Sequence, residues 1–439
     1  MKKNAVWILK KILLTVGVFL GVVVLGALLI IIVYALPTDR VNLHVRESGA
    51  YLQPEGDYWR MLPNSPFTCL DNYTDSTMLL IAADKQPNVP LLQRAVTNNW
   101  ITVNNSTKPE SCMLLDDKDE LGYAIHQYAR YWHGYLVVLK PLLLFLNIDE
   151  IRQLNWLVIM GSTITIGILL HHRKKLKYLF PYLLSICFMN PGTIANSLQN
   201  STIFHTASLA MILILLFSDR KRFRDHLWLF FMLVGMVTSY VDFLTYPILS
   251  LGFPLICWFI LCTGSDTVWY RKAGKTFGHM ALYSFMWGMG YAGMWSSKWV
   301  LASLVTGQHY VAEALQNIMI RSGNVAFGGE VTLQDLYIKL GYYLSISKIW
   351  TLTLVFVALC VPVLCLSKKL WSELPLSIAF LLIAVYPPVW GMATLNHTYI
   401  HDLFTHRNWG LTILGLSCSL LPLIGKPYSF LRRKVKEQS

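Results

Sequence analysis

Long apolar runs alternate with short polar connectors along most of the chain. The runs fall at about 12–36, 153–170, 178–191, 200–218, 226–241, 246–263, 276–300, 348–367, 374–391 and 409–424. They are continuous and rich in Leu, Ile, Val and Phe, so they predict helices. The apolar–polar alternation of a transmembrane barrel is missing. Many approach the roughly 20 residues that a helix needs to cross about 30 Å of hydrocarbon. The pattern predicts an all-α polytopic membrane protein with about ten transmembrane helices.

A polar stretch over 37–133 separates the first run from the others. The segment 134–147 follows, apolar but interrupted by Lys140-Pro141. It is short for a crossing and reads as an interfacial or re-entrant helix. With both termini cytoplasmic, 37–152 becomes a large first extracytoplasmic loop containing interfacial helices, and 301–347 a second such loop. No internal repeat or linker divides the chain, so 1–439 reads as one integrated membrane domain.

Composition agrees with this class. The 439 residues are 54% hydrophobic and 14% charged, against about 25% charged in soluble domains. A soluble enzyme is excluded. The net charge of +13 invites a nucleic-acid reading, and its placement removes it. Residues 1–11, 171–177, 219–225, 265–275, 367–373 and 425–439 hold 22 of the 37 Lys and Arg and 5 of the 24 acids. These segments sum to +17 and the remainder to −4, which is the asymmetry of basic cytoplasmic connectors. The first run is too long for a cleaved leader and reads as an anchor. No eukaryotic sorting signal is evident, which points to a bacterial plasma membrane.

Polar chemistry gathers in four outer-side clusters. Asp71 and Asp75 stand near the start of a helix expected over 75–84, either as a base or acceptor-orienting carboxylate or, more simply, with Thr74 or Asp75 as a helix cap. Arg130 and His133 lie among Tyr128, Tyr131, Trp132 and Tyr135, a set suited to a headgroup belt or to holding a phosphate against a sugar ring. Asn190 to Asn200 carries amides that suit helix capping or hydroxyl recognition, beside Asp242, whose acid at membrane depth is costly. The fourth cluster carries His397, His401, His406 and Arg407. It suits an anionic phosphate better than a metal, with Lys298 and Arg321 as reinforcement. Cys69 and Cys112, the two outer-side cysteines, are equally compatible with a disulfide and with free thiols. Buried acids for a proton relay are scarce, which argues against a carrier.

This arrangement resembles the GT-C superfamily of membrane glycosyltransferases in its many spans, its long first external loop 37–152, the acids Asp71 and Asp75 in that loop and the amphipathic segment 134–147. Arg130-Tyr-Trp-His-Gly134, Val241-Asp-Phe-Leu-Thr-Tyr-Pro247 and Asn396-His-Thr-Tyr-Ile-His401 also look like bacterial membrane proteins associated with surface polysaccharides. The resemblance implies transfer of a sugar from a polyprenyl-phosphate donor to a glycan or lipid acceptor at the extracytoplasmic face, with inversion and without a metal or other cofactor. Asp75, or Asp71, would be the base. Arg130, His133, Asp242, His397, His401, His406 and Arg407 would bind substrate or lipid phosphate. The family often places its acid close behind the first span, whereas Asp71 and Asp75 lie some 35–40 residues beyond it, so Glu55 and Asp57 are rivals. A polysaccharide polymerase or ligase, and a lipid-linked glycan exporter, are the alternatives.

Overall fold

The computed structural model describes residues 2–86, 88–263, 272–364 and 370–424. Parts of the basic connectors 265–275 and 367–373, the tail 425–439 and Cys365 lie outside the described residues. The fold is mostly helical, with two small antiparallel hairpins.

Each expected apolar run is occupied by a helix. The first is α1 (Lys2–Tyr34), followed in the outer loop by α2 (Thr38–Leu52), α3 (Asn72–Ala82) and the short α4 (Leu136–Leu142). Then come α5 (Ile148–His172), α6 (Leu179–Met189), α7 (Leu198–Phe217), α8 (Leu227–Val241), α9 (Ile248–Cys262) and α10 (Ala273–Thr306). Amphipathic α11 (Tyr310–Ser322) and α12 (Leu333–Ile346) precede α13 (Lys348–Leu364), α14 (Leu370–Ala384), α15 (Leu395–Ile400) and α16 (Trp409–Ser419). Among the described residues, four helices are long and apolar enough to cross a membrane, Val6–Tyr34, Ile148–His172, Leu198–Phe217 and Glu373–Ala393. A fifth arises if α12 and α13, bent by 79°, are counted together. Exposed Leu, Ile, Val and Phe side chains along α1, α5, α10 and α13 suit a lipid solvent better than water. At seven residues, α4 is about 10 Å long and cannot cross.

Packing explains how the polar loop is held. Helices α8 and α10 form the most extensive helix pair among the described residues. Gly235 and Gly290 make this possible: a Cβ at either would lie 2.1 Å from the Trp287 or Met232 carbonyl oxygen. Small residues at such crossings let backbones approach. The outer loop then docks on the ends of these helices. Trp132 Nε1 donates to Met294 O at 2.5 Å, Gly134 N donates to Tyr240 O at 2.7 Å, and buried Lys298 Nζ donates to Asn98 Oδ1 at 2.6 Å. On the other flank, Arg152 of α5 donates to Glu55 Oε2 at 3.0 Å and Asn72 Oδ1 at 2.9 Å. The loop is thereby fixed to both sides of the bundle. The strands β1 (Trp100–Val103) and β2 (Tyr123–His126) pair within it. Cys69 and Cys112 are unbridged, and each thiol instead faces a backbone carbonyl.

Candidate functional site

The acids expected at the start of a helix are there, with their roles redistributed. Helix α3 begins at Asn72, and Asp71, rather than Thr74 or Asp75, is its N-cap, accepting from Thr74 N at 3.0 Å. Thr74 Oγ1 (2.9 Å) and Gln199 Nε2 (3.2 Å) donate to the other oxygen. Asp75, one turn on, is fully enclosed. It accepts from Leu198 N at 3.0 Å, Gln199 N at 3.1 Å and Ser197 Oγ at 3.2 Å. It therefore sits on the N-terminus of α7, where free N–H groups and the helix dipole favour a carboxylate.

Burial nevertheless pushes Asp75 up to about 7 and raises Asp71 as well. This geometry makes Asp75 a latch on the start of α7. Both acids are buried with three donors each, but two of those on Asp75 are backbone N–H groups at the start of α7, so freeing Asp75 would release that helix. Asp71 lies within electrostatic reach of Tyr58, Tyr73, Tyr128 and Arg407. Of the rivals, Glu55 is committed to Arg152 and Asn72. Asp57 keeps one oxygen buried without a hydrogen-bond partner.

Arg407 is the largest anomaly at this end of the bundle. It is fully buried, and its guanidinium reaches only carbonyls: Leu403 O at 2.8 Å, Met189 O at 3.2 Å and Phe67 O at 3.4 Å. No carboxylate lies within 4.0 Å of it among the described residues. An unbalanced buried cation is costly and marks a site that accepts negative charge.

Tyr343 stacks on His406 at 4.3 Å, and Phe67 packs edge-on against both, 5.4 Å from Tyr343 and 5.3 Å from His406. Beyond this aromatic wall opens a groove of about 660 Å³, lined by Arg60, Lys339, Tyr342, Tyr343, Tyr399 and Asp402 among others. Lys339 Nζ pairs with Asp402 Oδ1 at 3.0 Å, and Tyr343 OH donates to Asp402 Oδ2 at 3.0 Å.

Of the histidines expected to donate hydrogen bonds to a phosphate, His397 and His406 spend their N–H on backbone carbonyls. Burial and neighbouring cations hold His397 and His406 well below the usual range and His401 down to about 4. A neutral imidazole has one N–H. That of His406 goes from Nδ1 to Asp402 O at 2.8 Å, and that of His397 from Nε2 to Leu244 O at 2.6 Å. The opposite nitrogens, His406 Nε2 and His397 Nδ1, are buried without partners, so they offer lone pairs to hydroxyls. His401 Nε2 accepts from Arg321 at 3.0 Å, as a neutral ring must. Arg321 thus joins this cluster, whereas Lys298 belongs to the loop anchor.

His133 is likewise structural. It is pushed down to about 3 by burial, bonds Tyr128 O at 2.8 Å, and adopts a positive φ of 55°. Arg130 pairs with Glu313 of α11 at 2.6 Å. Asp242 closes the turn between α8 and α9, accepting from Leu244 N at 2.9 Å and Thr245 N at 3.1 Å, and burial takes it up to about 6. Its neighbour Phe243 packs on Tyr128, Tyr131 and His133. The 242–245 turn is therefore the hub that brings the Arg130 and His397 clusters together.

No group of three or more His, Cys, Asp or Glu is arranged for a metal among the described residues. Comparison of the chain with family models, characterised proteins and solved structures returns no match. The groove residues Arg60, Lys339 and Tyr343 escape sequence reasoning, being distant in the chain and without a local motif. Gln199, Asn200 and Asp402 fall inside the polar clusters visible in the chain. Asn200 had a faint signal, as a polar residue entering an apolar run; it is fully buried, and neither its amide nitrogen nor its oxygen has a partner.

Proposed function

We propose that the protein is a ten-span membrane glycosyltransferase of GT-C-like architecture, with both termini cytoplasmic, acting at the outer face of a bacterial plasma membrane. It moves a sugar from a polyprenyl-phosphate donor to a cell-surface glycan or lipid acceptor. The observation that carries this reading is a buried arginine paired with no carboxylate among the described residues, Arg407, within electrostatic reach of a buried acid, Asp71, near an open groove walled by tyrosines. Tyrosine faces and charged hydrogen-bonding groups suit a sugar, and a guanidinium fork suits a phosphate.

In this mechanism Asp71 takes the acceptor hydroxyl proton as that oxygen bonds to the anomeric carbon. The bond from the anomeric carbon to the phosphate oxygen breaks, and polyprenyl phosphate leaves with the electron pair. Arg407 neutralises the charge that develops on it. His406 Nε2 accepts a hydrogen bond from a sugar hydroxyl. Asp75 holds α7, and with it Gln199, against Asp71. A mostly apolar slot of about 210 Å³ runs beside Met78, Val138, Leu142 and Leu198, next to the Asp75 contact, and gives the prenyl chain a path from the bilayer.

The test is transfer by the purified full chain with an extract of lipid-linked sugars. Asp71→Asn should leave the protein folded and lower turnover by roughly 10²–10⁴, the range of general-base contributions. Turnover near that of the parent protein would remove Asp71 from the chemistry.

A further inference from the structure

The opposite end of the bundle carries a second concave site that plays no part in sugar transfer. It lies where α5 and α7 end and where α9 meets Thr263, at the far end of a 20-residue α7 from Asp75. The pocket has a volume of about 480 Å³ and is lined by Arg173, Lys175, Arg224, Asp219, Trp258 and Tyr283 among others.

Three features make it a built site rather than a basic patch. First, cations outnumber acids: Arg173, Lys175 and Arg224 face the single carboxylate Asp219. Second, the cations are held in place. Arg173 Nε donates to Leu215 O at 2.7 Å, Arg224 NH1 to Asp219 O at 2.7 Å, and Lys175 Nζ to Thr263 Oγ1 at 3.1 Å. The two arginines use carbonyls at and just beyond the end of α7, and Lys175 uses the Thr263 hydroxyl after α9. Arg173 also pairs with Asp219, which leaves Lys175 and Arg224 as the charges available to the pocket. Third, Trp258 lines the same pocket, and its indole Nε1 is buried without a hydrogen-bond partner. An indole N–H donates only, so it calls for an acceptor.

We propose that this pocket binds the headgroup phosphate of an anionic phospholipid, taking its charge on Lys175 and Arg224 and a hydrogen bond from Trp258. The size fits a ligand headgroup. Basic pockets between helices at the cytoplasmic ends of spans match the charge of that leaflet, and Trp258 and Tyr283 give the apolar wall that the glycerol and acyl roots need. The inference rests on the membrane reading but not on sugar transfer.

The full chain is reconstituted in phosphatidylcholine nanodiscs with or without phosphatidylglycerol. Retained lipid is measured by native mass spectrometry, and thermal unfolding is followed in parallel. The expected result is selective retention of phosphatidylglycerol, with affinity falling about fivefold for each charge removed in Lys175→Gln and Arg224→Gln. Trp258→Phe should weaken retention while leaving the unfolding temperature in pure phosphatidylcholine unchanged. That variant separates a built site from a diffuse positive field. Equal retention of the two lipids would overturn the proposal, as would Trp258→Phe and the two charge variants behaving like the parent. Inorganic phosphate, added alone, should stabilise the protein less than phosphatidylglycerol; equal stabilisation would also overturn a lipid site.

Discussion

Asp71 and Asp75 are one helical turn apart and differ in what surrounds their oxygens. Asp75 is the latch of α7, so Asp75→Ala should lower stability by about 1.5–3 kcal/mol, the scale of hydrogen bonds to a charged group. The loss is read from thermal unfolding in detergent, with activity falling in step. Asp71→Asn should do the reverse, losing activity while the unfolding temperature stays near that of the parent. The pH profile follows from burial. Because the Asp71 pKa is raised above the ordinary carboxylate value, the base is lost at a higher pH than an exposed Asp would allow. Turnover should fall as pH drops through that raised value. A profile flat down to the ordinary carboxylate range would remove Asp71 as base. Arg407→Ala should weaken donor binding by about 2 kcal/mol or more, because a desolvated cation facing an anion is lost. That both acids belong to a helix start is legible in the sequence. That Ser197-Leu198-Gln199 would dock on Asp75 is not, because nothing local marks a contact across more than a hundred residues. The same holds for the histidines. Their clustering is visible in the chain, while the backbone carbonyls that consume their protons come from the fold.

The helices were legible for a simple reason: apolar continuity over many residues admits few other structures in lipid. Their boundaries follow local chemistry, as at α5, where Asn147 accepts from Asp149 N and Glu150 N in a capping box. Their pairing needed the third dimension. Gly235 and Gly290 look unremarkable in sequence, yet they set the distance between α8 and α10, on whose ends the outer loop docks. Gly290→Val should cost about 1–3 kcal/mol by overpacking and should broaden the unfolding transition in detergent. An unchanged transition would mean the two helices separate freely. Phe67 is a different kind of element, its ring edge-on to Tyr343 of the groove and its carbonyl facing Arg407. Phe67→Ala should raise the access of a small guanidine-reactive dicarbonyl to Arg407, seen as faster modification by mass spectrometry.

At the scale of the whole molecule, charge and apolarity divide the chain into two ends of different chemistry. The loop-bearing end gathers Asp71, Arg407 and the tyrosine groove, and the basic end gathers cations around Trp258. Helix α7 joins them, held by Asp75 at its start and by Arg173 at its close. The sequence shows which segments belong to which end, through the distribution of Lys and Arg. It does not show the groove, whose lining comes from positions as far apart as Arg60, Lys339 and Asp402.

The most direct measurement of the central claim is mass spectrometry of lipid-linked sugars and surface glycan in a null strain and in one carrying Asp71→Asn. The expected result is that both strains accumulate the same monosaccharyl polyprenyl phosphate and lack the same sugar in the glycan. A complete lipid-linked oligosaccharide accumulating in the null strain alone, with Asp71→Asn indistinguishable from the parent, would contradict sugar transfer and favour export or polymerisation.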